Sequence, residues 1–171
     1  MITTGLRVLS YSAIIVASLF ISGCNRYQMT FNDAVLYHPP VLFTDFRVAD
    51  NNLQTCLDQA IKDQSVTEPD ELTQLTCTHA GIRDVSGIEL FSKLQAINLS
   101  HNHLHNITAL DVMEHLKILL LNNNNIQSVS ELLTLTKLEH VNLSHNSELV
   151  CDDIHLLLER GHNKLFKPEQ C

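Results

Sequence analysis

The chain has 171 residues, 44% of them hydrophobic, and its 11 Lys and Arg against 19 Asp and Glu leave a net charge of −8. That length suits one globular domain, and the ordinary apolar fraction excludes a fibrous or disordered chain. The acidic balance gives no footing for nucleic acid or for electrostatic attachment to anionic lipid. The first element is an export signal over residues 1–23. Arg7 and the free amine make a positive start, "VLSYSAIIVASLFIS" (8–22) is apolar and small, and "ISGC" (21–24) closes it. The apolar run is short of the ~20 residues that a spanning helix needs.

Ile21, Ser22 and Gly23 before Cys24 resemble the bacterial lipobox. The resemblance implies cleavage before Cys24 and acylation of that cysteine, and several acyl chains give stable anchoring where one does not. Asn25 differs from the aspartate that resembles an inner-membrane retention signal, so the expected site is the outer membrane. Loss of 1–23 removes one charged side chain, Arg7, and takes the mature charge from −8 to −9. Of five cysteines, setting Cys24 aside leaves Cys56, Cys77, Cys151 and Cys171. An even number in an oxidising compartment points to two disulfides, with three pairings open at this stage.

Residues 24–45 carry "HPP" and no repeat, and read as a lipidated tether that packs back near Phe43 and Phe46. A helical cap follows over 46–71. In "NNLQTCLDQAIKDQ" (51–64) Leu53, Cys56, Leu57, Ala60 and Ile61 form one helical stripe, with Asn51 or Asn52 as N-cap. In "TEPD" (67–70) Thr67 reads as a cap, with Asp70 at the capping-box position.

From Leu72 the chain falls into rows of 22: "LTQLTCTHAGIRDVSGIELFSK", "LQAINLSHNHLHNITALDVMEH", "LKILLLNNNNIQSVSELLTLTK" and "LEHVNLSHNSELVCDDIHLLLE". The first column is Leu72, Leu94, Leu116 and Leu138; the fourth is Leu75, Ile97, Leu119 and Val141; the sixth is Cys77, Leu99, Leu121 and Leu143. Further apolar columns stand at positions eleven, fourteen, seventeen and twenty. Neither a helix nor a strand period gives such columns, whereas a stacked solenoid does. One row cannot bury its inward side chains alone, so neighbouring rows must stack.

The pattern LxxLxLxxNxL over 72–151 resembles the leucine-rich repeat, in the 22-residue class of bacterial internalin-like proteins. The resemblance implies an α/β solenoid, with a parallel β-sheet on the concave side and a 3₁₀ or irregular return on the convex side. The ninth column, Ala80, Asn102, Asn124 and Asn146, reads as a buried ladder whose amides satisfy backbone groups of their own coil and the next. Ala80 departs from it in the first coil, where a cap precedes. In "LLLNNNN" only Asn124 belongs to the ladder, and Asn122, Asn123 and Asn125 face outward.

The fourth row loses register after Asn146 by about one residue. Residues 152–171 read as a C-terminal cap. "DDIHLLLERG" is a helix opened by Asp152 and Asp153, with Ile154, Leu157 and Leu158 on one face and Gly161 as its stop. Cys56 lies on the buried stripe of the first helix and Cys77 in an inward column, which pairs them; Cys151–Cys171 then staples the end. Separations of 21 and 20 residues correspond to ~3 kcal/mol each in the loop-entropy model.

"LSHN" occurs at 99–102 and again at 143–146, and His101, His103 and His105 alternate in between. Alternate histidines suggest a metal site. The row register instead puts all three outward on the rim, because Leu104 points inward and Asn102 is in the ladder. His79 and His101, one coil apart, could share an ion with help from His103, but no further ligand of fixed geometry is evident. The chain has no Ser-His-Asp spacing, phosphate loop or HExxH, and Asp70, Glu71, Asp84, Glu89 and Glu131 are scattered on outward positions. No enzyme activity and no cofactor are expected.

The concave columns are Gln74, Ala96, Ile118, His140; Thr76, Asn98, Leu120, Asn142; and Thr78, Ser100, Asn122, Ser144. Ile118 and Leu120 are neighbouring apolar groups among polar ones. With Asn98, His140 and Asn142 they are the candidate residues for a protein or peptide partner. The expectation is a monomeric, membrane-anchored, non-catalytic interaction module of the bacterial envelope. The alternatives are a histidine-rich metal-binding or pH-responsive protein and a purely structural envelope component.

Overall fold

The computed structural model describes residues 29–31, 34–37, 39–159 and 164–171. The export signal, Cys24 and Gly161 lie outside the described residues. The chain divides into two units, Met1–Val41 and Leu42–Cys171. In the first, strands β1 (Met29–Phe31) and β2 (Ala34–Tyr37) pair antiparallel. A hairpin thus stands within the stretch read from sequence as a tether.

The second unit is the solenoid. Helix α1 (Asn51–Gln64) is followed by strands β3 (Gln74–Thr76), β4 (Ala96–Asn98), β5 (Ile118–Leu120) and β6 (His140–Asn142), then helix α2 (Cys151–Glu159) and strand β7 (Lys164–Phe166). The five strands β3 to β7 form one parallel sheet in chain order. The register runs Leu75↔Ile97↔Leu119↔Val141, so the 22-residue row is the structural repeat. Leu99, Leu121 and Leu143 are each 0% exposed within one core. Their amides link the coils in turn: Leu99 N donates to Leu120 O, Leu121 N to Asn142 O and Leu143 N to Phe166 O.

The return path uses 3₁₀ turns at Ile88–Phe91, Thr108–Leu110 and Ser130–Thr134. A 3₁₀ turn eclipses residues i and i+3, which suits apolar columns three apart. Ile88 and Phe91, Leu110 and Met113, and Leu132 and Leu135 accordingly all point inward.

The asparagine ladder works toward the preceding coil rather than the following one. Asn102 Nδ2 donates to Leu99 O in its own coil (2.9 Å) and to Cys77 O in the coil before (2.7 Å). Its Oδ1 accepts from Ala80 N and Ile82 N, each at 3.1 Å. Asn124 serves Leu99 O, Leu121 O and Leu104 N in the same way, and Asn146 serves Leu121 O, Leu143 O and Ile126 N. An asparagine at position 80 would have no preceding coil to serve, which explains the alanine there.

The N-terminal cap begins earlier than residue 46. Phe43 N donates to Val66 O, the Phe43 and Phe46 rings stack at 5.4 Å, and Phe46 meets Phe91 edge-on at 5.2 Å. The N-cap of α1 is Asp50, not Asn51 or Asn52. One carboxylate oxygen accepts from Asn52 N (2.8 Å) and Leu53 N (3.2 Å), the other from Arg83 N (2.8 Å) and Asp84 N (3.3 Å), tying the helix to the first coil. Asn52 instead donates from its side chain to Gly81 O. The stripe Leu53, Leu57 and Ile61 is buried, Cys56 and Ala60 are half-buried, and Gln54 joins them by bonding Val48 N and Asp58.

At the next turn Glu71, not Asp70, closes the box: it accepts from Thr67 N, Thr67 Oγ1 and Glu68 N around a 3₁₀ turn at Pro69–Glu71. Glutamate has the extra methylene needed to reach back.

Burial raises the Asp50 carboxyl, but donors from Arg83, Leu53, Asn52 and Asp84 outweigh it and hold the group below its ordinary value. A lowered folded pKa stabilises above the unfolded value and loses that stabilisation as pH falls through the folded one. Asp50→Ala is therefore expected to cost about 1–2 kcal/mol near neutrality. Measured by denaturation across pH, the gap from wild type narrows below about pH 4.

Gly87 has φ 98°, and a Cβ there would lie 2.8 Å from Val48 Cγ1 and 3.0 Å from Val48 Cα. Gly87→Ala should lower stability by about 1–3 kcal/mol in a denaturant melt, because the backbone atom cannot step aside.

Cys56 and Cys77 are bonded (Cα–Cα 5.9 Å), as are Cys151 and Cys171 (5.2 Å). In α2 Ile154 and Leu157 are fully buried, but Leu158 is 45% exposed. The helix covers the fourth coil with a narrow stripe, and Leu158 lies off that stripe. Asp153 accepts from Ser128 Oγ (2.8 Å) and Val129 N (3.0 Å), so it joins the helix start to the third coil.

Candidate interaction face

Alternation along each three-residue strand sends the middle side chain into the core and the two flanking ones to the solvent face of the sheet. One face column is Gln74, Ala96, Ile118, His140 and Lys164, and the other is Thr76, Asn98, Leu120, Asn142 and Phe166. The fifth strand extends the surface beyond the four rows legible in the sequence, to ~19 Å along the stack at ~4.8 Å per strand. Lys164 and Phe166 are the face residues that sequence reading missed. Their strand lies 24 positions after β6 rather than 22 (His140↔Lys164), so no column predicts it. The "KLF" alternation, with Leu165 half-buried, was the available signal.

The polar side chains of this face are largely committed to one another. Asn98 Oδ1 accepts from Ser100 N (3.1 Å), and Ser100 Oγ donates to Asn122 Oδ1 (2.6 Å). Asn142 Oδ1 accepts from Ser144 N (3.1 Å) and Ser144 Oγ (2.7 Å). Ser100 is buried and offers no contact. The candidate residues Ile118, Leu120, His140 and Asn142 stand together on two adjacent strands, with Asn98 one strand away. Ile118 is 43% exposed and Phe166 54%. Leu120 is half-buried, and the His140 ring lies 5.5 Å from the Phe166 ring. The result is an apolar pair on β5 and an aromatic ring two strands away on β7, with His140 and Asn142 between them.

The rim histidines have a backbone role. His79, His101, Asn123 and His145, all in column eight, have φ between 55° and 59°. This left-handed conformation turns the chain out of each strand, and Asn and His are among the side chains that tolerate it. "LSHN" recurs because every coil needs that turn beside its ladder asparagine. His101 N donates to Asn122 O (2.9 Å) and Asn123 N to Ser144 O (3.0 Å), which fixes the turn to its neighbour.

The His79 and His101 rings stack in parallel at 4.1 Å. Lone pairs lie in the ring planes, so stacked rings do not converge on one ion, and His103 is exposed on the same rim. Among the described residues no group of three or more His, Cys, Asp or Glu could hold a metal.

No family model matches the chain, and no curated protein matches it. Solved structures do. An internalin (InlF) from Listeria monocytogenes is 27% identical with a TM-score of 0.52, over 57% of this chain and 31% of that one. An internalin C2 (InlC2) from the same organism is 20% identical with a TM-score of 0.55, over 60% of this chain and 48% of that one. The chain thus spans less than half the length of either. Period, ladder, parallel sheet and solved neighbours agree: these coils are leucine-rich repeats of the internalin-like class.

Proposed function

We propose that the mature chain is a lipid-anchored, non-catalytic protein-binding module of the bacterial outer membrane, with the sheet face as its contact surface. The observation that carries this reading is the exposure of Ile118 and Phe166, with half-buried Leu120 beside Ile118, on one ordered face two strands apart. Apolar groups held out of the core on rigid strands cost the fold solubility and gain it nothing, whereas a partner can desolvate them. The fold kinship with internalins supports a binding role over a catalytic one. The motif "ISGC" supports anchoring through Cys24.

Two experiments test it. Crosslinking in intact envelopes, followed by capture of the mature protein, should yield a partner that Ile118→Asp/Leu120→Asp loses at least tenfold while melting within a few degrees of wild type. Equal capture by the variant would remove the sheet face from the proposal. For the anchor, Cys24→Ser should abolish incorporation of labelled palmitate and move the protein out of the membrane pellet.

A further inference from the structure

The two face columns contain no aspartate or glutamate, although the chain has 19 of them. Lys164 is the single formally charged side chain in those columns. It stands in register with His140 and Ile118, as Phe166 does with Asn142 and Leu120. The face therefore offers an apolar seat at Ile118 and Leu120 and, two strands away, a cation beside an aromatic ring. Two strand spacings are ~10 Å. A segment in the extended polyproline II conformation, with about three residues per turn and ~3.1 Å per residue, covers ~9 Å in three residues and keeps both side chains on one side. An apolar side chain seated on Ile118 and Leu120 thus brings the side chain three positions along its own chain level with Lys164 and Phe166. The patch is far smaller than the ~800 Å² per partner of an ordinary protein interface, so it suits one short segment.

We propose that this end of the sheet binds a protein segment in polyproline II conformation carrying an apolar residue and, three residues away on the same side, a carboxylate. The inference rests on the sheet-face reading given above and adds the chemistry of the partner. The carboxylate pairs with Lys164, and the apolar residue buries Ile118 and Leu120. A basic residue at that position would meet Lys164 with no acid on the face to receive it.

A display library of random heptapeptides, panned against the mature protein and counter-selected on Ile118→Asp/Leu120→Asp, tests this. The expected result is enrichment of sequences with Asp or Glu three positions from a large apolar residue. Replacing that acid by its amide should weaken binding of the synthetic peptide roughly two- to fivefold at low salt. The difference should vanish in Lys164→Ala, while that variant keeps the amide peptide's affinity. Enriched peptides with no acid at that spacing, or with Lys or Arg there, would overturn the proposal and leave the sheet-face reading standing. No enrichment that depends on Ile118 and Leu120 would end both.

Discussion

Asn124→Ala is expected to destabilise the chain by about 2–4 kcal/mol. The side chain makes three hydrogen bonds to buried backbone groups, donating to Leu99 O and Leu121 O at 3.0 and 2.9 Å and accepting from Leu104 N at 3.1 Å. Removing it leaves Leu104 N without a partner in a site that is 6% exposed, at about 1–3 kcal/mol. Leu99 O and Leu121 O each keep one bond, from Asn102 and Asn146, and lose about 1 kcal/mol apiece. Partial entry of water keeps the total below the simple sum. Asn125→Ala, one residue on and half-buried, provides the contrast. Its backbone amide bonds Leu104 O whatever the side chain, so the expected cost is under ~1 kcal/mol. Chemical denaturation of both variants decides the matter, and equal losses would mean that the ladder does not carry the coil junctions.

The second large effect concerns the staples. Loops of 21 and 20 residues are closed by Cys56–Cys77 and Cys151–Cys171. Each contributes ~3 kcal/mol in the loop-entropy model, against a total stability of roughly 5–15 kcal/mol for a domain. Paired serine substitution at either site should lower Tm by roughly 10 °C, and loss of both should leave the solenoid largely unfolded at 37 °C. The two sites should also differ in place. Without Cys151–Cys171, hydrogen exchange should quicken first in α2 and β7, and then at Val141 and Leu143, which they cover. Without Cys56–Cys77, it should quicken in α1 and β3. Loss of protection spread evenly along the stack in both cases would contradict the capping roles.

How much of this was legible in the sequence depended on whether a residue's job repeats. The inward columns are apolar in every row, so Leu99, Leu121 and Leu143 announce themselves. Cys56 and Cys77 pair from their places on a helical stripe and an inward column, which leaves Cys151 and Cys171 to each other. The left-handed turn at column eight repeats as well, but a run of His and Asn does not state a backbone angle, and histidine carries a competing chemical meaning. Where the job occurs once, sequence had little to offer. Asp50 caps α1 beside two asparagines that could each have done so, and only the distance to Arg83 N and Asp84 N separates them. Strand β7 breaks the row spacing, so only the short "KLF" alternation marked Lys164 and Phe166 as face residues, although Phe166 is the most exposed apolar group on the face.

The 22-residue stacking of coils around one interior underlies both the ladder and the face, and methyl–methyl nuclear Overhauser contacts test it most directly. With the leucine methyls labelled and assigned, Leu99 should show cross-peaks to Leu121, and Leu121 to Leu143, since neighbouring coils lie ~4.8 Å apart. Leu99 and Leu143, two coils apart, should show none. Absence of the Leu99–Leu121 and Leu121–Leu143 contacts in the folded protein, or a direct Leu99–Leu143 contact, would contradict the stacked solenoid.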